Sequence, residues 1–487
     1  MELQPINTTF AILFLLLCSS VAYSLHRNRK LALVINTVTL ASLFAVSIYL
    51  LESGTTIQAF GFFEIYPFSM FLLAVSSVIL LLLGFVAYSF SNSKFFSMVG
   101  FLLVGVFSVE AAASFLPILL GIELMAIPTS FMIISKDQHT LEAAVKFFIM
   151  SSTGAAMVAF GIALLYPFNP TLSLSGWFGT NMGSWYLPMI AFLLILSGLS
   201  FECALLPFNL WIADVYQGSP DYLPSMLSGI NMVVTFAAII EVMVLGFGSY
   251  LRPISEVIVL IAAATMLFGN LLAMRQKNVK RMMAYSSIVQ AGYIAVGLAA
   301  YPAIGIGPAL FYMASYAFAA VGAFSVVSYL DQKGIKTAAD YSGLFYSSRL
   351  ATVALTIFML SMVGIPPLLG FVAKFVVFTA AVKSQLAWLA AFAIINSFVS
   401  IYYYGKVMLE MYAPVRPHAR AVIPPALALV IIACALIILL LGIYPQPFLS
   451  ASYSAANSLT ASSLIPLPSQ GVPIATTIAS NNPMAIP

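Results

Sequence analysis

The chain has 487 residues, of which 62% are hydrophobic and 7% charged, and its mean hydropathy is +1.05. A soluble core of that size would need far more polar surface to cover it, so a soluble globular protein is excluded. The net charge of +4 comes from basic residues scattered over short polar segments, which argues against a nucleic-acid partner. Apolar runs longer than about 18 residues suit transmembrane helices and do not suit the alternating strands of an outer-membrane barrel. They fall at 8–25, 31–50, 67–89, 95–113, 115–134, 142–166, 187–212, 222–246, 254–274, 280–300, 303–330, 350–382, 386–412 and 424–445, giving about fourteen spans. The first begins after Glu2, lacks a basic leader and a small-residue cleavage site, and precedes Arg27-Asn28-Arg29-Lys30, so it reads as a retained helix. Between spans four and five only Ser114 and Pro117 mark a pause. After Pro445 the uncharged stretch 446–487, rich in Ser, Ala, Pro and Asn, predicts a loosely ordered tail.

Basic residues orient these spans. Odd-numbered loops hold fourteen of them (Arg27, Arg29, Lys30, Lys94, Lys136, Arg275, Lys277, Lys280, Arg281, Lys333, Lys336, Arg349, Arg416 and Arg420), and even-numbered loops hold only Arg252 and Lys383. The bias predicts cytoplasmic odd loops, both termini outside, and a multi-pass protein of the plasma membrane. Cys18, Cys203 and Cys434 stand singly in apolar segments, and His26, His139 and His418 fall in loops, so neither a disulfide framework nor a metal site is expected.

Two spans are interrupted. Span twelve contains Gly364-Ile365-Pro366-Pro367 followed by Lys374, and span seven contains Pro207. Proline removes a backbone donor and clashes with the preceding turn, so both helices are expected to break, which membranes tolerate only where protein or water satisfies the freed groups. The breaks are five spans apart. This suggests two inverted five-helix units, 95–246 and 254–412, preceded by 1–94 and followed by a last span at 424–445 and the tail.

Ionisable groups inside spans are costly and read first as functional. Glu123 lies roughly 16 Å and Lys146 roughly 8 Å from the cytoplasmic end at 1.5 Å per residue, so a Glu123–Lys146 pair is expected in the inner half of the membrane. Glu202, five residues before Pro207, falls at the depth of Glu123; Lys374 belongs to the outer half. A static salt bridge, or a carboxyl bonded within its own helix, is the plainer alternative for each. Glu110, Glu241 and Lys406 lie near span ends, where snorkelling or an ordinary helix contact is expected, and Glu410 reads as interfacial. Asn209, Asn231, Asn270, Gln290 and Asn396 could hold water between the charges or simply join helices.

Several stretches, in order, resemble the antiporter-like membrane subunits of respiratory complex I, the N type in particular: Gly121-Ile122-Glu123-Leu124, Leu141-Glu142-Ala143-Ala144-Val145-Lys146, Leu206-Pro207-Phe208-Asn209-Leu210-Trp211, Asp214-Val215-Tyr216-Gln217-Gly218, Asn278-Val279-Lys280-Arg281, the Gly364–Pro367 break with Lys374, and Tyr402-Tyr403-Tyr404. The resemblance covers roughly 95–412 and implies an all-α proton-carrying subunit without a redox centre. Quinone and donor cofactors would belong to partner subunits, and this chain would contact other membrane-arm subunits and the bilayer. It carries the proton path over to Glu123, Lys146 and Lys374. The chain departs from the family where a lysine is usual at Glu202, a histidine at Asn209, a lysine beside Asn231 (near Met232) and a histidine at Gln290. The expectation is a proton-translocating subunit of a complex I-like quinone oxidoreductase; a cation/proton antiporter of the Mrp type and a non-pumping structural subunit are the alternatives.

Overall fold

A computed structural model describes residues 28–59, 61–91, 94–134, 138–175, 186–414 and 422–462. The first apolar run, 8–25, lies outside them. The runs from residue 31 onward are helical: α1 (Arg29–Ser53), α2 (Pro67–Ser89), α3 (Lys94–Glu110), α4 (Phe115–Ile133), α5 (Gln138–Leu165), α6 (Tyr186–Glu202), α7 (Ile212–Gly218), α8 (Leu223–Gly246), α9 (Leu251–Met274), α10 (Val279–Ala299), α11 (Pro302–Gln332), α12 (Arg349–Val363), α13 (Leu369–Lys383), α14 (Ala387–Tyr412), α15 (Pro425–Ile443) and α16 (Gln446–Ser462). Ten of the described helices are long and apolar enough to cross a membrane. Spans seven and twelve are each split, into α6 with α7 and α12 with α13. The protein is thus an all-α membrane protein with both expected breaks.

Local chemistry sets the ends. The side chain of Asn278 accepts from the Arg281 backbone N–H at 3.0 Å and caps α10, and proline opens α2, α11 and α15, where a missing N–H costs nothing. Helices α8 and α11 are buried along their length and form the centre; α11 packs against α10, α12, α13, α15 and α16. α8 is irregular: it widens into π turns at Leu227–Asn231 and Val242–Gly246, either side of the regular stretch Met232–Glu241.

Two features were not legible as pattern. A short antiparallel hairpin, β1 (Ile57–Ala59) and β2 (Phe63–Ile65), folds back on the end of α3, where Glu64 N–H donates to Ala111 O and Ala113 N–H to Phe62 O, each at 2.9 Å. Ala111–Ser114 is therefore an extended joint, which explains the slight pause between spans four and five. The second is α16. The expected loose tail does not hold for 446–462, which form a helix against α2 and α11. Its small residues allow close packing: Ala455, Ser452 and Leu459 are buried, Phe448 meets Phe71 and Phe311, and Ser458 accepts from the Phe68 N–H at 3.1 Å. The remainder, 463–487, lies outside the described residues.

Because Leu459 is fully buried in this contact, Leu459→Ala should destabilise the protein by about 2–5 kcal/mol. A thermal-denaturation midpoint in detergent that does not move would show that α16 contributes no packing.

Candidate functional site

The second break is built around Lys374. α12 ends at Val363, Gly364 turns the chain at φ 91°, and α13 resumes at Leu369. The turn leaves the Val363 carbonyl without a helical partner inside the apolar region. Lys374 Nζ donates to it at 2.9 Å and to Ser397 Oγ at 2.7 Å, and Ser397 Oγ donates to the same carbonyl at 2.8 Å. The ammonium also lies 4.4 Å from the centre of the Tyr293 ring. Lys374 is 5% exposed and touches no carboxylate among the described residues. The C-terminal end of a half-helix is a favourable seat for a cation. A Cβ at Gly364 would come within 2.9 Å of the Lys374 Cδ, so glycine is required there both for φ and for space. An apolar cavity of about 250 Å³ adjoins the lysine, lined by Phe371, Phe375, Phe378 and Ile394 among others.

The first break repeats this backbone. Ala204 (φ 55°) matches Gly364, and cis Leu206-Pro207 matches cis Pro366-Pro367. Leu205 N–H donates to Ser200 O and Phe208 N–H to Leu205 O, just as Ile365 donates to Leu360 O and Leu368 to Ile365 O. Every counterpart is 160 residues apart (204 and 364, 207 and 367). Here neutral side chains satisfy the backbone: Trp211 Nε1 donates to Phe201 O at 3.0 Å, and Thr265 Oγ1 accepts from the Leu206 N–H at 3.1 Å.

Glu202 is the last residue of α6 before this break and is 7% exposed. Ser151 Oγ donates to its Oε1 at 2.5 Å, and Asn231 lies within hydrogen-bonding reach. The contact exists because α5 and α6 touch backbone to backbone: a Cβ on Gly198 would sit 2.2 Å from Gly154 O, and Ser151 and Glu202 lie one turn away on the two helices. Glu123 lies within electrostatic range of Glu202, and its buried Oε1 has no hydrogen-bond partner.

The expected Glu123–Lys146 pair is absent. Lys146 instead bonds Glu142 at 2.7 Å, one turn back on α5, and Asp214 at 3.3 Å on α7. Arg281 Nη1 donates to Asp214 Oδ1 at 2.7 Å and to Gln217 Oε1 at 3.0 Å. Depth along a helix says nothing about azimuth, and Lys146 points toward the end of α5, where these groups converge. They line an open vestibule of about 470 Å³ with Asn278, Asp331 and Lys336. Partial burial pushes the Asp214 carboxyl up, but the hydrogen bond and charge of Arg281, then of Lys146, outweigh it and hold the group below its ordinary value. Beside the vestibule Lys280, a loop residue by sequence, is buried and reaches Ser219 O at 3.3 Å and Asp331 at 3.7 Å. The chain runs toward the vestibule through α7 and away from it through α12, so it passes the two breaks in opposite directions.

Between the breaks lies a seam of neutral polar groups. Tyr312 donates to Gln290 Oε1 at 2.6 Å, and Gln290 Nε2 donates to Met362 O at 3.3 Å. Tyr316 donates to Ser287 at 2.7 Å, Ser286 bonds Tyr404, and Tyr403 donates to Asn270 Oδ1, whose amide donates to Asn396 Oδ1 at 3.0 Å. Asn209 is buried in the first break. Lys406 is exposed, as a snorkelling residue would be, but Glu110 and Glu241 are not: both are wholly buried. The tyrosines, Asp214, Arg281 and Glu142 were missed as site residues. The signal was present for Asp214, which stands in the aspartate–valine–tyrosine–glutamine–glycine run of the family pattern.

Residues 112–400 match the family described as "NADH:quinone oxidoreductase/Mrp antiporter, TM", and the chain belongs to that family. It is 36% identical over 406 residues to the NADH-quinone oxidoreductase subunit N of Desulforamulus reducens, covering 80% of this chain and 83% of that one. A chain of respiratory complex I from Thermus thermophilus, solved with bound aureothin, superposes with a TM-score of 0.80 at 28% identity, covering 91% and 99%. A chain of the Mrp complex from Dietzia sp. shares the fold, with a TM-score of 0.85 at 22% identity, covering 94% and 98%.

Two outcomes follow from the geometry. A carboxylate held low contributes stability that is complete above its unfolded value of about 3.9 and is lost as pH falls through the lower folded value. Asp214→Asn should therefore cost about 0.5–1 kcal/mol at neutral pH. Melting curves of variant and parent should converge as the pH drops below about 4; a difference that is constant with pH would remove the charge from the explanation. At the other break, Gly364→Ala should cost about 1–3 kcal/mol from the forced φ alone. An unchanged denaturation midpoint would contradict the left-handed turn at Gly364.

Proposed function

We propose that the chain is the N-type, proton-translocating membrane subunit of a complex I-like quinone oxidoreductase. Electron transfer would take place in partner subunits, which hold the donor and quinone sites, and this subunit would move protons through Glu202, the neutral seam and Lys374. One observation carries the reading: a buried lysine held by a freed carbonyl and a hydroxyl, with no counter-charge. Such a group can take up or release a proton without breaking a salt bridge, and a purely structural lysine has no need of that setting.

The vestibule is the inlet in this reading. Release of Lys146 from Asp214 alters the field at Glu202, five residues further along α5 through Ser151, or about 8 Å of helix rise. Glu202, with Glu123 beside it, gains or loses a proton as that field changes. Transfer would continue by the seam's hydroxyl groups, and by water that its amides hold, to Lys374. Moving one charge against 100 mV costs about 2.3 kcal/mol, equivalent to less than two pKa units, which charges a few Å apart can supply. The units 95–246 and 254–412 are taken as inverted repeats, supported by the matched breaks and the reversed chain direction. The positive-inside bias puts the vestibule on the cytoplasmic side and the termini outside, in the plasma membrane.

Complexes carrying Glu202→Gln or Lys374→Ala, reconstituted in vesicles, should pump fewer protons per electron while still reducing quinone in detergent. Normal pumping by both would overturn the path. Sodium-dependent exchange without an electron donor would favour the antiporter reading, and impaired assembly with unchanged stoichiometry a structural one.

A further inference from the structure

The end of the molecule opposite the vestibule holds a second set of buried acids. α8 leaves the vestibule side at Leu223, and Glu241 lies 18 residues on, about 27 Å along the axis. α3 likewise starts at Lys94, whose Nζ donates to Ile134 O near the vestibule end of α5, and finishes at Glu110. Glu110 and Glu241 are both 0% exposed and lie within electrostatic range of each other. Ser76 Oγ donates to Glu110 Oε1 at 2.5 Å, and Tyr66 Oη donates to Glu241 Oε1 at 3.2 Å. The second oxygen of each, Oε2, is buried with no partner among the described residues. No lysine or arginine among the described residues pairs with either acid, and the segments 176–185 and 446–487 contain no basic residue. Two neighbouring carboxylates without a cation cannot both stay ionised in an apolar interior, so the pair must hold at least one proton.

Two independent features link this pair to the rest. Glu241 ends the regular part of α8 and adjoins the π turn Val242–Gly246, while Asn231, beside Glu202, ends the other π turn; such widenings recur at functional sites. On the outer side the hairpin strand Phe63–Ile65 is fastened over the end of α3, and it carries Glu64, which lies within electrostatic range of both Tyr66 and Glu241 and accepts from Gln58 at the surface.

We propose that Glu110 and Glu241 form a shared-proton release site for the first five-helix unit, emptying through Tyr66 to Glu64, so that this unit has an outlet separate from Lys374. A proton arriving from the Asn231 end protonates Glu241. The Tyr66 hydroxyl, once rotated, accepts a proton from Glu241 and gives its own to the Glu64 carboxylate in the same step, leaving no charge on the tyrosine. The inference rests on the proton-translocation reading above, and the test separates the two.

The intact complex is studied in two ways. Infrared difference spectra of parent, Glu110→Gln and Glu241→Gln complexes at neutral pH should show a protonated-carboxyl C=O band in the parent that is lost in at least one variant. If neither substitution removes such a band, the pair holds no proton and the proposal is overturned. In vesicles, Tyr66→Phe keeps the ring that stacks on Phe68 at 5.8 Å and removes only the hydroxyl. It should lower protons pumped per electron, with quinone reduction in detergent retained. A normal ratio for Tyr66→Phe and Glu241→Gln alongside a deficient Lys374→Ala would refute the second outlet alone. Normal ratios in all three would refute proton translocation by this chain. If Glu241→Gln does not assemble, the infrared result for Glu110→Gln and the ratio for Tyr66→Phe decide the matter.

Discussion

A helix broken inside an apolar layer leaves carbonyl and N–H groups that water cannot reach, and satisfying them governs the arrangement of this molecule. At the second break the answer is a cation: Lys374 and Ser397 share the Val363 carbonyl. At the first it is neutral, from the Trp211 indole and the Thr265 hydroxyl. The same backbone turn, 160 residues apart, is thus finished with opposite chemistry. Since the lysine is engaged by a carbonyl and a hydroxyl, its charge is stabilised with no anion nearby among the described residues. The seat itself spans three elements, α12, α13 and α14, so a movement among them would change it.

The position 160 residues before Lys374 is Asp214. Both lie just past a break, yet one faces the vestibule among Lys146 and Arg281 and the other is enclosed. The chain traverses the breaks in opposite directions, so equivalent positions emerge on opposite sides. An acidic residue among basic ones suits an aqueous mouth, where the charges are partly hydrated. A lone cation on a half-helix C-terminus suits a closed seat. The departure from a lysine at position 202 belongs to the same logic: a carboxyl next to Ser151 and Asn231 can be neutral and donate, or ionised and accept, and both states find partners.

Much of this was legible because broken spans announce themselves. Pro207 and Pro366-Pro367 in long apolar runs mark the breaks, and Lys374 follows at a fixed distance. Azimuth was not legible: helical rise gives depth, but whether Lys146 turns to Glu123 or to Asp214 depends on where α7 resumes after its irregular turn. The burial of Glu110 and Glu241 was hidden for a related reason. Proximity to a span end implies access to water only if nothing covers the end, and here the hairpin Ile57–Ile65 and α16 do. α16 itself has low hydropathy because its contacts use alanine and serine, which pack closely without registering as apolar. The π turns of α8 have no sequence signature at all.

What the arrangement can conduct follows from its hydrogen bonds. Along the seam, donors and acceptors are already matched: Tyr312 to Gln290, Gln290 to Met362 O, Tyr403 to Asn270, Asn270 to Asn396. A hard monovalent cation would need several oxygens turned toward one point, and the carbonyl oxygens of Gln290, Met362, Asn270 and Asn396 are each already accepting a hydrogen bond from a neighbour. A proton needs only hydroxyl groups that rotate and water held between them by the amides, since a hydroxyl or a water can donate on one side while accepting on the other. Reorientation also leaves the close packing of α11 against α10 undisturbed, whereas admitting a hydrated ion would force packed helices apart. The density of the centre and the neutrality of the seam are therefore suited to the proposed proton path, with the ionisable groups at its margins as the proposed points of uptake and release.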